Sequence, residues 1–199
     1  MFDIKSKIQE SPYLKFYAFY DEALTKNQSN PEAMVISSYD GSSNQVDSRF
    51  VNLKYIIDEE WIFFSNYNSP KAIQFNSHDQ ISVLFYWNAL NLQIRMQSKI
   101  MRIKPELSDK HFASRSKEKN LLAIISDQSS EIESYDELVK KYSDYENSTQ
   151  SIINRPSYWG GFSFQPYSFE FWTGQKFRLN FRESYYKENN EWKKRILQP

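Results

Sequence analysis

The sequence predicts a mainly β protein, an antiparallel barrel with peripheral helices, and three observations carry that prediction. Short apolar runs rich in β-branched and aromatic residues outnumber helical patterns. Successive runs lie close together and are separated by turn signals, which suits hairpins rather than the helical crossovers of a doubly wound sheet. The chain has 199 residues, room for one well-buried core, so residues 1–199 read as a single domain with an N-terminal helical segment over 1–30.

Taken in order, Tyr13 to Lys26 is dense in apolar residues, lacks glycine and internal proline, and reads as a helix ended by the polar NQSNP stretch. Ala33 to Tyr39 reads as a strand, Asp40-Gly41 as a turn, and Val46 to Ile57 contains a further strand, which together suggest a hairpin. Trp61 to Ser65 is a third strand. After Pro70, Lys71 to Asn76 has the pattern of a short helix, and Ile81 to Trp87 and Leu92 to Ile103 read as paired strands. Polar periodicity gives helices at Glu106 to Arg115 and Tyr135 to Tyr145, with Tyr142 to Gln150 read as a solvated loop. The chain then returns to strands at Trp159 to Gln165, Ser168 to Trp172, Phe177 to Phe181 and Trp192 to Leu197.

Composition narrows the function. Twenty-five basic residues balance 25 acidic ones, so no global field draws the chain to nucleic acid or an anionic membrane, and phosphate recognition has to be local. The absence of cysteine removes thiolate nucleophiles, disulfides and cysteine metal sites. His78 and His111 have neither HxxxH nor carboxylate-partner spacing, so no metal site is expected. No apolar run approaches the length of a signal-peptide core or a membrane span, and the expectation is a soluble cytoplasmic protein without membrane or nucleic-acid partners. Aromatic residues make up 17% of the chain while mean hydropathy is low, at −0.73, so rings must do much of the burying, and some can flank a planar ligand.

Only four glycines occur, and none belongs to a GxGxxG or GxxxxGK pattern, which excludes backbone phosphate cradles of the Rossmann and P-loop kinds. A GxSxG nucleophile motif is also absent. A bound phosphate would have to be held by side chains. Arg178, Asn180 and Arg182 are spaced by two and on a strand would share one face beside Trp172. Two guanidiniums there invite a phosphate and a flat ring.

The C-terminal third reads WGGF at Trp159 to Phe162, EFWTG at Glu170 to Gly174, RLNFR at Arg178 to Arg182 and RILQP at Arg195 to Pro199. Upstream stand NPEAM at Asn30 to Met34, RFVNLK at Arg49 to Lys54, FSNYNSPK at Phe64 to Lys71, LFYW at Leu84 to Trp87 and FASR at Phe112 to Arg115. In this order and together, these segments resemble the pyridoxamine 5'-phosphate oxidase family. The resemblance implies a split β-barrel that binds FMN at a homodimer interface. It assigns FMN contacts to Arg49, Phe50, Val51, Lys54, Phe64, Ser65, Lys71, Gln93, Gln128, Ser129, Trp172 and Arg182. It assigns substrate contacts to Lys54, His111, Arg115, Lys119, Arg178 and Asn180, with Arg178 and Asn180 as the catalytic pair.

The family pattern is not copied throughout. His111 stands where the family has Tyr, Lys119 where it has Ser, and Asn180 where it has the His of RLHDR. Pro70 replaces an Arg and Phe64 a Tyr in the cofactor set. Arg49 and Lys54, five apart, would face opposite sides of a regular strand, so a bulge is needed or Lys54 must reach from the strand's end. The activity implied is oxidation of pyridoxamine or pyridoxine 5'-phosphate to pyridoxal 5'-phosphate, with dioxygen as electron acceptor. The altered residues leave two alternatives: a related flavin oxidase acting on another substrate such as a phenazine-type ring, or a flavin- or vitamin B6-binding protein without turnover.

Overall fold

Helix α1 (Ser11–Thr25) carries Pro12 in its first turn, where a missing N–H costs nothing. Tyr13, Phe16, Tyr17, Tyr20 and Ala23 follow at three- and four-residue steps and form its buried face. Phe16 is fully buried, meets the Trp61 ring edge-on at 4.5 Å and lies 5.6 Å from Phe85. The aromatic content noted in the sequence is therefore spent largely on the core, where Trp87, Phe164, Phe169 and Phe171 complete the packing. The computed structural model describes residues 1–148 and 154–199.

One sheet of ten strands packs on this helix. Its main path runs β1 (Asp3–Ile4), β4 (Tyr55–Ile57), β5 (Glu60–Asn66), β8 (Trp159–Thr173), β7 (Leu92–Arg102), β6 (Gln80–Trp87), β2 (Ala33–Asp40) and β3 (Gln45–Asn52). Every ladder is antiparallel except β1 on β4. Strand β8 pairs with β7 over most of its length, while its other edge takes β5 along Trp159 to Phe164 and β9 (Phe181–Glu188) along Ser168 to Thr173. Between those halves lie Pro166 and a register shift opposite Gln97 and Ser98. Proline has no N–H for a ladder, so the strand changes partner where it must bend. β10 (Glu191–Leu197) closes on β9, and the pair is tied to α1 by the buried Glu183, which binds Lys15 at 2.6 Å and Lys194 at 2.8 Å.

Several expectations need correction. The segment Val46 to Ile57, expected to contain one further strand, holds most of β3 and all of β4, because the chain leaves β2 for β5: the Leu53 amide donates to Glu32 O at 2.9 Å and the Lys54 amide to Ile62 O at 2.8 Å. The two strands expected around Pro166 are one, β8. Phe177 to Phe181 is not a strand. Lys176–Arg178 is a 3-10 turn in which Phe177 and Arg178 have φ of 58° and 61°, and β9 begins only at Phe181. The shared face proposed for Arg178, Asn180 and Arg182 is therefore not formed. Tyr142 onward is not loop but the last turns of α5 (Tyr135–Ser148), while residues 149 and 150 of that segment lie outside the described residues. Strand β1 and helix α4 (Lys117–Ile125) were not anticipated.

Candidate functional site

The cleft is organised by helix α2 (Pro70–Ser77) and by the strand ends that face it. Pro70 starts α2, which puts Lys71 in its first turn. There Lys71 is 8% exposed, and its Nζ donates to Ser65 Oγ at 3.0 Å and Ser69 Oγ at 3.2 Å. Among the described residues no carboxylate pairs with it. Burial, then the charge of Arg49, pushes its pKa down to about 8. Arg49 is fixed beside it by donating to Ser38 Oγ at 2.5 Å and Gln74 Oε1 at 3.0 Å. Arg49 also pairs with Asp47 at 3.7 Å, so Lys71, in the first turn of α2, is the cation of the two without a carboxylate among the described residues, and it invites an anion.

A second cationic group lies in the same cleft of about 350 Å³, whose lining includes Lys54, Lys71, His111, Arg115 and Lys119. Lys54 stands just beyond β3, so the chain's change of partner brings it to the cleft, as its five-residue spacing from Arg49 required. Its pKa is lowered by burial, opposed by Glu32 and assisted by Lys119 and Arg115. Arg115, at the end of α3 (Pro105–Ser114), lies 4.4 Å over the Trp159 ring and donates to Lys119 O at 3.0 Å, while its second terminal nitrogen, Nη1, is buried without a partner. A buried guanidinium N–H with nothing to donate to is costly unless a ligand supplies the acceptor.

Flat surfaces line the space between these groups. Phe64 stacks on His111 at 3.8 Å and 9° and on Trp159 at 5.4 Å and 9°. Burial, then Arg115 and Lys54, pushes the His111 pKa down to about 4, so the ring is uncharged at neutral pH. Trp159 is followed by two glycines for steric reasons. A Cβ on Gly160 would stand 2.1 Å from the Tyr67 hydroxyl, and one on Gly161 2.3 Å from Ile103 Cδ1.

Of the residues expected at the cofactor and substrate sites, Phe50, Val51, Lys54, Phe64, Ser65, Lys71, His111, Arg115, Lys119 and Gln128 line this cleft, and Arg49 stands next to Lys71. Gln128 Oε1 accepts from the Asn66 amide at 3.2 Å. Ser129 instead lines a neighbouring hollow between α4 and α5, with φ of 72°. Gln93, Trp172 and Arg182 form one cross-strand row over β7, β8 and β9. Trp172 is 13 residues from Trp159 along β8, about 40 Å of strand contour. Arg182 there is held by Glu170 at 2.8 Å and by Gln198 O at 2.8 Å. Arg178 is exposed, and Asn180 Oδ1 accepts from the Gln175 amide at 3.1 Å. One chain thus presents two separate halves of the expected set. Sequence reasoning assigned no role to Trp159, Ser69 or Tyr55. The WGGF motif was a usable signal for Trp159, whereas nothing in the sequence marked the other two.

A split antiparallel sheet with two cation groups and stacked rings in one cleft defines a binder of phosphorylated planar ligands. Residues 20–148 match the family described as pyridoxamine 5'-phosphate oxidase, and residues 159–199 match the pyridoxine 5'-phosphate oxidase C-terminal dimerisation region. The chain is 36% identical over 182 residues to a pyridoxine/pyridoxamine 5'-phosphate oxidase of Coxiella burnetii, covering 92% of each protein. It is 33% identical to one of Legionella pneumophila strain Paris, covering 96% of this chain and 89% of the relative. The chain belongs to the pyridoxamine 5'-phosphate oxidase family. Its fold matches that of PhzG from Burkholderia lata 383, solved with tetrahydrophenazine-1-carboxylic acid, with a TM-score of 0.88 at 22% identity over 98% of this chain and 99% of that one. It also matches an FMN-binding protein of Nostoc punctiforme with a TM-score of 0.77 at 11% identity, covering 96% and 99%. Among the described residues, no helix is long and apolar enough to cross a membrane.

Proposed function

We propose that this protein is an FMN-dependent oxidase that converts pyridoxamine or pyridoxine 5'-phosphate to pyridoxal 5'-phosphate, with dioxygen as the final electron acceptor. The observation that carries this reading is the pair of cation groups in one cleft: Arg49 with Lys71 on one side, Lys54 with Arg115 and Lys119 on the other. Two flat molecules, each bearing one phosphate, suit that arrangement. It also agrees with the family membership.

The donor set fits FMN. Lys71 and Arg49 would hold its phosphate with charge-assisted hydrogen bonds, Ser65 would add a hydroxyl, and Gln128 would offer an amide to polar edges. Bound FMN supplies a planar two-electron acceptor that dioxygen can reoxidise. The protein's own share is positioning and charge. Lys54, Arg115 and Lys119 hold the substrate phosphate, and the buried, unpartnered nitrogen of Arg115 gains an acceptor. Phe64 and Trp159 keep water from one side of the cleft.

The other half of the site comes from a second copy of the chain, with the flavin at the interface. The half-site row Gln93, Trp172 and Arg182 and the exposed loop carrying Arg178 and Asn180 are the parts a partner would bring. Phe177 at 92% exposure and Leu179 at 69% flank Arg178 as exposed apolar side chains. From that loop Arg178 would contact the substrate. Asn180 hydrogen-bonds to it and cannot take up a proton near neutral pH.

Purified protein should be yellow, dimeric and consume oxygen with pyridoxamine 5'-phosphate, releasing hydrogen peroxide. Yellow protein inert with that compound but active on a dihydro-aromatic ring would replace this substrate assignment, and yellow protein inert with both would leave binding without turnover.

A further inference from the structure

The hydroxyl of Tyr55 lies 2.8 Å from Nδ1 of His111. Tyr55 opens β4, the residue after Lys54, and its ring meets the imidazole edge-on at 5.4 Å and 89°. Phe64 lies flat on the same imidazole, and the Trp159 ring is parallel to it at 6.2 Å and 4°. Stacking fixes the plane of the His111 ring but leaves a half-turn about Cβ–Cγ open. That half-turn would replace Nδ1 by a carbon and break the bond to Tyr55. The two constraints together define which ring edge faces the cleft.

We propose that Tyr55 is a positioning residue of the substrate site, its hydroxyl holding His111 in the tautomer that presents Nε2–H to a phosphate monoester. The inference rests on the reading above that the group of Lys54, Arg115 and Lys119 holds the substrate phosphate. A phenol O–H is a good donor and a neutral imidazole nitrogen a good acceptor, so Tyr55 donates to Nδ1 and the ring proton resides on Nε2. No protein partner holds Nε2 among the described residues, and His111 lines the cleft. A phosphate dianion offers acceptors only, so the Nε2–H tautomer is the one that a phosphate can use. Burial, then the cations Arg115 and Lys54, keeps the imidazole neutral in the free protein, and the other groups packed on it are the rings of Phe64, Trp159 and Tyr55. His111 then acts as an oriented neutral donor among cations. Where the family has a tyrosine at this position, the chain supplies a histidine steered by a tyrosine from another strand.

The test uses FMN-loaded protein labelled with ¹⁵N-histidine, in which His78→Gln assigns the signals because the chain has only two histidines. The wild type should show His111 protonated on Nε2 alone, with that signal moving when inorganic phosphate is added. In Tyr55→Phe the two tautomers should mix, and KM for pyridoxamine 5'-phosphate should rise about fivefold to thirtyfold, the effect of one lost hydrogen bond, with kcat within about twofold. An Nδ1–H tautomer in the wild type, or a Tyr55→Phe enzyme with unchanged KM, overturns the proposal while leaving the oxidase reading intact. A wild-type protein that neither oxidises pyridoxamine 5'-phosphate nor responds to phosphate overturns both. If Tyr55→Phe fails to fold, the tautomer of the wild type alone decides.

Discussion

Replacing Lys71 by methionine should make the protein without cofactor more stable and its grip on FMN weaker. Nζ is buried beside Arg49, is bonded among the described residues only to the hydroxyls of Ser65 and Ser69, and has its pKa pushed from 10.5 to about 8. At about 1.36 kcal/mol per pH unit, carrying the charge at pH 7 costs the folded state about 3 kcal/mol, or about 2 after solvent screening. Because the folded pKa is depressed, the cost is full below pH 8 and fades between pH 8 and 10.5, where the unfolded chain still binds the proton and the folded one does not. Lys71→Met removes it. In a chain of this size the FMN-free variant should melt about 5–10 °C higher at pH 7, an advantage that disappears above pH 10.5. The same change deletes a charge-assisted contact to the FMN phosphate, worth about 1.5–3 kcal/mol, so Kd should rise about 10- to 100-fold. Differential scanning calorimetry on FMN-free protein and fluorescence titration with FMN read the two effects separately. A variant that melts lower than the wild type without FMN, or that binds FMN equally well, would refute the reasoning.

Four further outcomes follow from the same structure. Phe16→Ala should cost about 3–5 kcal/mol in urea unfolding, since the ring is fully buried among Trp61, Phe85 and Trp87. Glu183→Gln should cost about 2–3 kcal/mol, the lowered pKa converted at about 1.36 kcal/mol per unit and discounted for the exposure of its partners, because Lys15 and Lys194 lose their shared carboxylate; the loss should vanish in acid, as the Glu183 pKa, held down to about 2 by Lys15, Lys194 and Tyr185 against its burial, is passed. His111, with a folded pKa of about 4 against an ordinary 6.5, should make the protein less stable as pH falls through that window, by at most about 3 kcal/mol before screening, and His111→Phe should flatten that part of the pH profile in chemical denaturation. Asn180→His should raise kcat with pyridoxamine 5'-phosphate if the missing proton-exchanging group limits turnover, measured as oxygen uptake at saturating substrate; an unchanged kcat removes Asn180 as the limiting residue.

The sequence by itself determined the local elements whose patterns depend on near neighbours. The apolar density of Tyr13 to Lys26 without glycine placed α1, the polar break containing Pro70 marked the approach to α2, and the strongly apolar run Ile81 to Trp87 placed β6, because composition and backbone donors are properties of a few consecutive residues. Motif order likewise carried the family. The cleft residues Lys54, Phe64, Ser65, Lys71 and Arg115 could be named because they sit inside those motifs, and His111 and Lys119 because they lie close to FASR.

Only the tertiary structure decided where strands exchange partners and what each charge faces. The break at Leu53 and Lys54 depends on two carbonyls, of Glu32 in the turn before β2 and of Ile62 in β5, and the single run of β8 through Pro166 depends on β7 spanning it continuously. Arg178 and Asn180 alternate in sequence as a strand would, but left-handed backbone at Phe177 and Arg178 turns the chain first. The low pKa of Lys71 and the contact from Tyr55 to His111 arise between residues brought together by folding. Burial and pairing are sums over spatial neighbours, and a linear order of residues does not contain those sums until the chain has closed on itself.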